Sequence, residues 1–132
     1  MPQDIQRPRV LIADDDPGMS MAVGRLLSPA CDIVGYAADV ATLFEAAVAS
    51  RPDVVLLDFS LPGDVKILAA CRRLRQIAPA VKIVAFTAHN DEGIRRAAFE
   101  AGCSDFVWKL EADSALLSTI QSLVGDAEGE SA

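Results

Sequence analysis

Short apolar runs alternate along the chain with longer segments in which apolar residues recur every three or four positions. Five runs have the length and composition of strands, at residues 9–14, 33–37, 54–58, 81–87 and 104–109. Apolar runs bounded by turn residues are typical of strands buried on both faces, and the segments after them have the period of amphipathic helices. Five such alternations with short connections predict one parallel sheet covered by helices on both sides.

The helical segments contain residues that start and stop helices. Asp16 and Asp39 are good N-cap residues for the first two helices, and Asn90 or Asp91 caps the fourth. Gly102 ends that fourth helix. Its apolar face is mostly alanine, and small side chains bury little area. We therefore expect the fourth helix to be among the less firmly held elements of the fold.

The pattern indicates an α/β fold of the flavodoxin-like (CheY-like) class, a three-layer αβα sandwich with a five-stranded parallel sheet. We adopt for it the strand order of that class, 2-1-3-4-5, in which strands one and three are neighbours. The carboxyl ends of these two strands carry Asp14-Asp15-Asp16 and Asp58. The domain is expected to span residues 9–124, between an N-terminal tail at 1–8 and an acidic stretch at 125–132 that is a tail or the start of a linker.

Composition narrows the class of protein. With 132 residues, 52% of them hydrophobic and 23% charged, the chain suits one domain with its own core. No apolar run approaches the roughly 18 residues of a membrane helix and no secretory signal is visible, which predicts a cytoplasmic protein without a membrane partner. Cys31, Cys71 and Cys103 are widely spaced and are expected in the core. A net charge of −7 disfavours direct nucleic acid binding by this domain.

The candidate chemistry lies at the carboxyl ends of the predicted strands. Asp58 follows four apolar residues, Thr87 ends the fourth strand and Lys109 ends the fifth. Each alone is more simply a turn, strand or surface residue. Beside Asp14 and Asp15, however, the site would hold carboxylates that repel one another, and Mg²⁺ is the simplest compensation for that repulsion. A carboxylate nucleophile, a metal, a hydroxyl and an ammonium together suit phosphoryl transfer.

At these positions the sequence closely resembles the receiver domain of two-component response regulators, over nearly the whole chain. The matching residues are the acidic pair, the phosphoacceptor, the turn after it, the switch threonine with its small neighbour, the switch aromatic and the lysine: Asp14-Asp15, Asp58, Leu61-Pro62, Thr87-Ala88, Phe106 and Lys109. The resemblance implies that Asp15 contacts Mg²⁺ directly and Asp14 through water. It also implies that Asp58 and the backbone carbonyl of Ser60 complete the protein ligands.

The resemblance implies a phosphorylation-dependent signalling switch rather than an enzyme. Asp58 would accept a phosphoryl group from a sensor histidine kinase, a phosphotransfer protein or a small phosphodonor, and the domain would catalyse only its own phosphotransfer and autodephosphorylation. Lys109 and Thr87 would bind phosphoryl oxygens, and Phe106 would follow Thr87 into the vacated space. The surface of the fourth helix, fifth strand and fifth helix would then change toward an output domain, a partner or a second copy.

Two further residues gain a role by the resemblance. Ser60 and His89, each two positions beyond a site residue, would flank the water route to the phosphoryl group and set its lifetime. Two positions depart from the family's pattern. Residues 64–66 stand where many members have a glycine, so this loop is expected to take an unusual path that affects partner contacts. Leu110 stands where a proline often follows the lysine, which leaves the chemistry intact.

Three other functions share parts of this pattern. A receiver used only for docking would never be phosphorylated, and the complete residue set argues against it. An aspartyl-nucleophile phosphatase would carry a second carboxylate two residues after the nucleophile, where this chain has Ser60. A flavin-binding module would carry a hydroxyl- and glycine-rich loop after the first strand, where this chain has Asp14-Asp15-Asp16-Pro17.

Overall fold

The structure is a computed structural model that describes residues 7–131, with residues 126–131 described by their backbone only. Its strands are β1 (Arg9–Ala13), β2 (Asp32–Ala37), β3 (Val54–Asp58), β4 (Lys82–Thr87) and β5 (Asp105–Trp108). Its α-helices are α1 (Pro17–Leu27), α2 (Val40–Ser50), α3 (Ile67–Ile77), α4 (Glu92–Glu100) and α5 (Leu117–Ser131). The parallel strands form one sheet in the order β2-β1-β3-β4-β5. The predicted flavodoxin-like fold and its strand order are confirmed.

The core lies on both faces of the sheet because strand side chains alternate between the two faces. On one face, Leu11 and Leu57 pack with buried residues of α2, α3 and α4. On the other face, Ile12 and Leu56 pack with buried residues of α1 and α5. Burial on both faces explains why the strands read as nearly continuous apolar runs.

The predicted helix starts are present as hydrogen-bonded caps. The Asp16 carboxylate accepts hydrogen bonds from two backbone N–H groups of the first turn of α1, and Asp39 accepts one from the Thr42 N–H at 2.8 Å. Asp91, rather than Asn90, caps α4. Each cap satisfies backbone donors that have no partner within the helix.

Several details differ from the sequence pattern. Val48 has the helical spacing of the apolar face of α2, yet 61% of its surface is exposed, because the contact stripe of this helix is narrower than its apolar stripe. Helix α5 continues through residues 125–131, and a tight turn at Lys109–Glu111 and a π-helical turn at Ala112–Leu116 precede it. Of the proposed N-terminal tail, residues 1–6 lie outside the described range.

The loop between β3 and α3 contacts the start of α2. The Val40 N–H donates a hydrogen bond to the Pro62 carbonyl at 2.9 Å. A Cβ on Gly63 would lie 2.7 Å from the Val40 Cβ, so only glycine fits at this approach. Residues 64–66 are exposed, and Lys66 precedes α3 without a side-chain cap. The backbone immediately after Asp58 is therefore fixed at Pro62 and Gly63.

All three cysteines are buried and carry free thiols, as predicted for core residues. Cys71 and Cys103 lie in the same core cluster with their sulfur atoms 3.8 Å apart, and Cys31 lies on the other face of the sheet. None of the described helices combines the length and the apolar composition that a membrane crossing requires.

Candidate functional site

The parallel sheet brings three predicted acidic residues together at one edge. Asp14 follows β1 and Asp58 ends β3, and these strands are hydrogen-bonded neighbours with Ala13 opposite Leu57. One carboxylate oxygen from each of Asp14, Asp15 and Asp58 lies within 4.8 Å of the others. Asp14 and Asp58 are buried, whereas Asp15 is exposed. The site therefore has a buried floor of two carboxylates and one carboxylate that faces water.

Lys109 reaches into this cluster from the turn after β5. Its Nζ lies 3.0 Å from Asp14 Oδ2 and 3.3 Å from Asp58 Oδ2, and its side chain is 14% exposed. Burial alone would lower the pKa of Lys109, but its hydrogen bond to Asp14 and the charges of both carboxylates outweigh burial and raise that pKa. The side chain is thus a fixed ammonium ion that bridges the two buried acids.

The acidic cluster keeps an excess of negative charge despite this lysine. Burial raises the pKa of Asp14 and the Asp58 charge adds to the rise, although hydrogen bonds from the Asp16 N–H and Lys109 partly oppose it. Three carboxylates around one ammonium suit a hard divalent cation, and oxygen ligands with room for water are those that Mg²⁺ prefers. The residues present therefore fit the metal that receiver domains bind at such a cluster.

Asp58 is oriented by the residue two positions after it. The Ser60 N–H donates to Asp58 Oδ1 at 3.0 Å, and the Ser60 hydroxyl lies 2.9 and 3.0 Å from the two carboxylate oxygens. Lys109 also contacts Oδ2. The carboxylate is consequently contacted by both a hydroxyl and an ammonium, and the sequence did not predict the side-chain contact from Ser60.

The predicted switch residue Thr87 lies beside a cavity that also borders Asp58. This cavity has a volume of about 250 Å³, and its lining includes Asp58, Ser60, Thr87, Ala88, His89 and Ile94. Thr87 is buried, and its hydroxyl oxygen accepts a hydrogen bond from the His89 N–H at 3.1 Å. His89 is exposed at the rim. The structure thus brings Thr87 and His89 to the same edge as the acidic cluster.

The two aromatic residues of β5 have different environments. Phe106 is 7% exposed on the face covered by α4, as strand alternation predicts, whereas Val107 packs on the opposite face. The Arg95 guanidinium of α4 lies 5.7 Å from the centre of the Phe106 ring. Trp108 is partly exposed, and its indole N–H donates to the Ala88 carbonyl at 3.1 Å. Sequence reasoning missed this last bond, since it depends on the path of the β4–α4 loop.

Comparison with known proteins gives consistent matches. The family model described as response regulator receiver domain matches residues 10–121. Response regulator MprA of Mycolicibacterium vanbaalenii is 32% identical over 129 residues, which is 94% of this chain and 55% of that protein. A probable transcriptional regulatory protein NarL of Mycobacterium tuberculosis is 32% identical over 127 residues, covering 94% and 56% of the two chains. The chain spans about half the length of these curated relatives.

Solved structures match equally well. A two-component response regulator of the LuxR family from an Aurantimonas species superposes with a TM-score of 0.84 at 30% identity, covering 92% of this chain and 87% of that one. The signal receiver domain of the putative response regulator NarL from Mycobacterium tuberculosis gives a TM-score of 0.79 at 28% identity, covering 94% and 98%. These matches extend over almost the whole described chain.

Proposed function

Because this chain belongs to the response regulator receiver domain family, we propose that Asp58 accepts a phosphoryl group and that the domain is a phosphorylation-dependent switch. The supporting observation is the environment of Asp58. Its buried carboxylate lies 3.3 Å from the Lys109 ammonium and within 4.8 Å of two further acids. That arrangement combines a nucleophile, a fixed cation and ligands for a metal at one sheet edge.

The proposed chemistry begins at the Asp58 carboxylate. One of its oxygens attacks the phosphorus of a phosphohistidine or a small acyl phosphate, the bond from phosphorus to the donor breaks, and an aspartyl phosphate forms. Lys109 is already within 3.3 Å of this carboxylate and pairs with an oxygen of the arriving phosphoryl group. The Ser60 hydroxyl, which contacts both carboxylate oxygens, has to release at least one of them for the attack.

The acidic cluster is proposed to hold Mg²⁺. When bound, this ion neutralises negative charge on the phosphoryl group in transfer. Asp15 is exposed and suits direct coordination. Both Asp14 oxygens are engaged, Oδ1 by the Asp16 N–H at 2.9 Å and Oδ2 by Lys109 at 3.0 Å, which suits contact through water. Asp58 and the Ser60 carbonyl supply the remaining protein ligands.

The response to phosphorylation is proposed to pass through the β4–α4 loop. The Thr87 hydroxyl donates a hydrogen bond to a phosphoryl oxygen, and the loop moves with Thr87. Phe106 then repacks beside Thr87, and the surface formed by α4, β5 and α5 changes. An output domain, a separate protein or a second copy reads that surface. The phosphodonor is a sensor histidine kinase or a phosphotransfer protein, and both partners are proposed from family membership alone.

The lifetime of the phosphoryl group is proposed to depend on Ser60 and His89. Ser60 contacts both Asp58 oxygens, and His89 lines the same cavity. Water that hydrolyses the acyl phosphate has to pass between these side chains. The domain therefore controls its own dephosphorylation, and we propose that it acts on no other substrate. Its proposed location is the cytoplasm.

Intact mass spectrometry after incubation with acetyl phosphate and Mg²⁺ tests the proposal. The unmodified chain should gain the mass of one phosphoryl group, and Asp58→Asn should gain none, because the amide is not a nucleophile toward phosphorus. Asp64→Asn is the matched control, since this exposed aspartate lies in the loop after the site and should leave the mass gain unchanged.

The same assay separates the acceptor from the metal site. The Asp15→Ala variant still contains Asp58, but it should need much more Mg²⁺ for the same mass gain, since it lacks one proposed ligand of the metal. A mass gain in Asp58→Asn equal to that of the unmodified chain would mean that another residue is the acceptor. A mass gain independent of Mg²⁺ would remove the metal from the proposal.

A further inference from the structure

Trp108 makes a hydrogen bond that the proposed phosphoryl transfer does not use. Its indole N–H donates to the backbone carbonyl of Ala88 at 3.1 Å. Ala88 lies between Thr87 and His89, and all three border the cavity beside Asp58. This bond joins the end of β5 to the β4–α4 loop, which is the segment that moves in the proposed switch.

The register of the sheet shows that the Trp108 bond and Asp58 lie on opposite sides of β4. At the end of β4, Phe86 is opposite Asp58 of β3, and Thr87 is opposite Trp108 of β5. Asp58 and Trp108 therefore lie on opposite sides of β4. A phosphoryl group on Asp58 attracts the Thr87 hydroxyl toward β3, whereas the Trp108 indole holds the next carbonyl on the β5 side.

The loop occupies the position expected before phosphorylation. The Thr87 hydroxyl oxygen accepts a hydrogen bond from the His89 N–H of the same loop. Within the described part of the chain, no hydrogen bond joins Thr87 to the Asp58 carboxylate, whose partners are Ser60 and Lys109. The bond from Trp108 thus accompanies a Thr87 hydroxyl that is engaged within its own loop.

We infer that Trp108 is a positioning residue that restrains the β4–α4 loop and opposes closure of Thr87 over the phosphoryl group. This inference rests on the proposed phosphorylation of Asp58. A single neutral hydrogen bond changes an equilibrium by about 2- to 10-fold. A hydroxyl bound to an anionic phosphoryl oxygen makes a stronger, charge-assisted bond. Phosphorylation therefore overcomes the restraint, and the restraint sets how completely the unphosphorylated domain stays in its resting state.

Binding of beryllofluoride in the presence of Mg²⁺, measured by calorimetry, tests this inference. Beryllofluoride adds to an aspartate as a phosphoryl mimic, so its affinity includes the free energy of loop closure. Trp108→Phe removes the N–H and keeps an aromatic ring, and it should bind beryllofluoride about 2- to 10-fold more tightly. Leu110→Ala is the matched control, because Leu110 is 78% exposed two residues further on and should leave the affinity unchanged.

The outcomes separate a positioning role from a structural one. A side chain that only stabilises the fold would, on replacement, lower the free energy of unfolding in urea and leave beryllofluoride affinity equal or weaker. Unchanged or weaker binding by Trp108→Phe therefore overturns the inference while leaving the proposed function in place. Failure of the unmodified chain to bind beryllofluoride overturns the proposed function, and this inference with it.

A measurement on the unmodified chain gives an independent test. Trp108 is the single tryptophan, so one indole N–H resonance is expected. Its hydrogen exchange should be slow in the free protein and faster by several-fold after saturation with Mg²⁺ and beryllofluoride, because the bond to Ala88 breaks when the loop closes. An indole N–H that becomes better protected on saturation would mean that the bond persists in the closed state, which contradicts a restraint.

Discussion

Strand β3 and helix α4 belong to the same domain, yet they bury very different amounts of side-chain surface in its core. All five residues of β3 are buried, and β3 lies at the centre of the sheet between β1 and β4. Of the nine residues of α4, Ala98 alone is buried. The strand contributes large side chains to the core on both faces, whereas the helix contributes one methyl group and partly buried neighbours.

This difference separates the proposed chemistry from the proposed response. Asp58 ends the best-buried strand, and Ser60 and Lys109 contact its carboxylate, so the proposed acceptor has a fixed position. The residues proposed to respond lie at the ends of β4 and β5, next to a helix that is displaced at small cost. A rigid acceptor beside a loosely held helix suits a domain that converts a local charge change into a change of surface.

The largest expected effect compares a core residue of β3 with one of α4. Leu56→Ala should lower the free energy of unfolding by about 3 to 4 kcal/mol, because Leu56 is 1% exposed and its removal leaves a cavity. Ile94→Ala should lower it by only about 1 kcal/mol, since Ile94 is partly exposed on α4. Urea denaturation followed by circular dichroism measures both. Equal losses would mean that α4 is as firmly held as β3.

The second effect concerns the repulsion between the carboxylates at the carboxyl ends of β1 and β3. Asp14→Asn should raise the free energy of unfolding by about 1 kcal/mol at neutral pH, because removing a buried charge that Asp58 repels outweighs losing the ion pair with Lys109. The asparagine oxygen still accepts the hydrogen bond from the Asp16 N–H. The same variant should weaken Mg²⁺ binding. Asp64→Asn, an exposed change of the same kind, should have no measurable effect on either quantity.

The pH dependence gives the sign of this charge effect. The folded protein raises the pKa of Asp14 above its ordinary value of 3.8, chiefly through burial, so the folded state binds the proton more tightly than the unfolded chain. The contribution of Asp14 to the free energy of unfolding is therefore fully present below pH 3.8 and is lost as pH rises through the pKa of Asp14 in the folded protein. Urea midpoints measured across this range should fall with pH more steeply in the unmodified chain than in Asp14→Asn. Parallel curves would contradict the assignment.

The sequence predicted the rigid half of this comparison well. Strands that are buried on both faces need nearly continuous apolar runs, so β1, β3 and β4 were visible from the apolar pattern alone. Parallel strands end at one edge, so Asp14, Asp58 and Lys109 were expected to meet there, and the structure places them within contact distance. The capping aspartates were visible because their role requires an acceptor at a fixed position before the helix.

The sequence was less informative about the contact width of helices, side-chain rotamers and loop paths. Apolar periodicity identifies the face of a helix but not the width of its contact stripe, so Val48 is exposed although it has the spacing of the apolar face of α2. The Ser60 hydroxyl bonds to Asp58 and the Trp108 bond to Ala88 depend on side-chain rotamers and loop path, which a residue pattern does not contain. Low burial on α4 was nevertheless predictable from its alanines, because small side chains bury little area.

The smallest expected effect concerns what holds α4 against β5. The exposed Arg95 guanidinium lies 5.5 Å from the centre of the Phe99 ring and 5.7 Å from that of Phe106. Phe99 belongs to α4 itself, whereas Phe106 belongs to β5, so the second contact links the two elements. An exposed cation–π contact contributes about 0.5 to 1 kcal/mol. On a helix that buries one alanine, this is a substantial share of its attachment.

Arg95→Gln should therefore lower the free energy of unfolding by only about 0.5 kcal/mol but should raise local opening of α4 by about twofold or more. Native-state hydrogen exchange of the α4 amides measures this opening, with the β3 amides as an internal reference that should not change. Arg96→Gln is the matched control, because Arg96 is also exposed on the same helix, and no cation–π contact is found for it among the described residues. If Arg95→Gln and Arg96→Gln open α4 equally, the cation–π contacts do not hold this helix, and only its backbone, Ile94 and alanines attach it to the sheet.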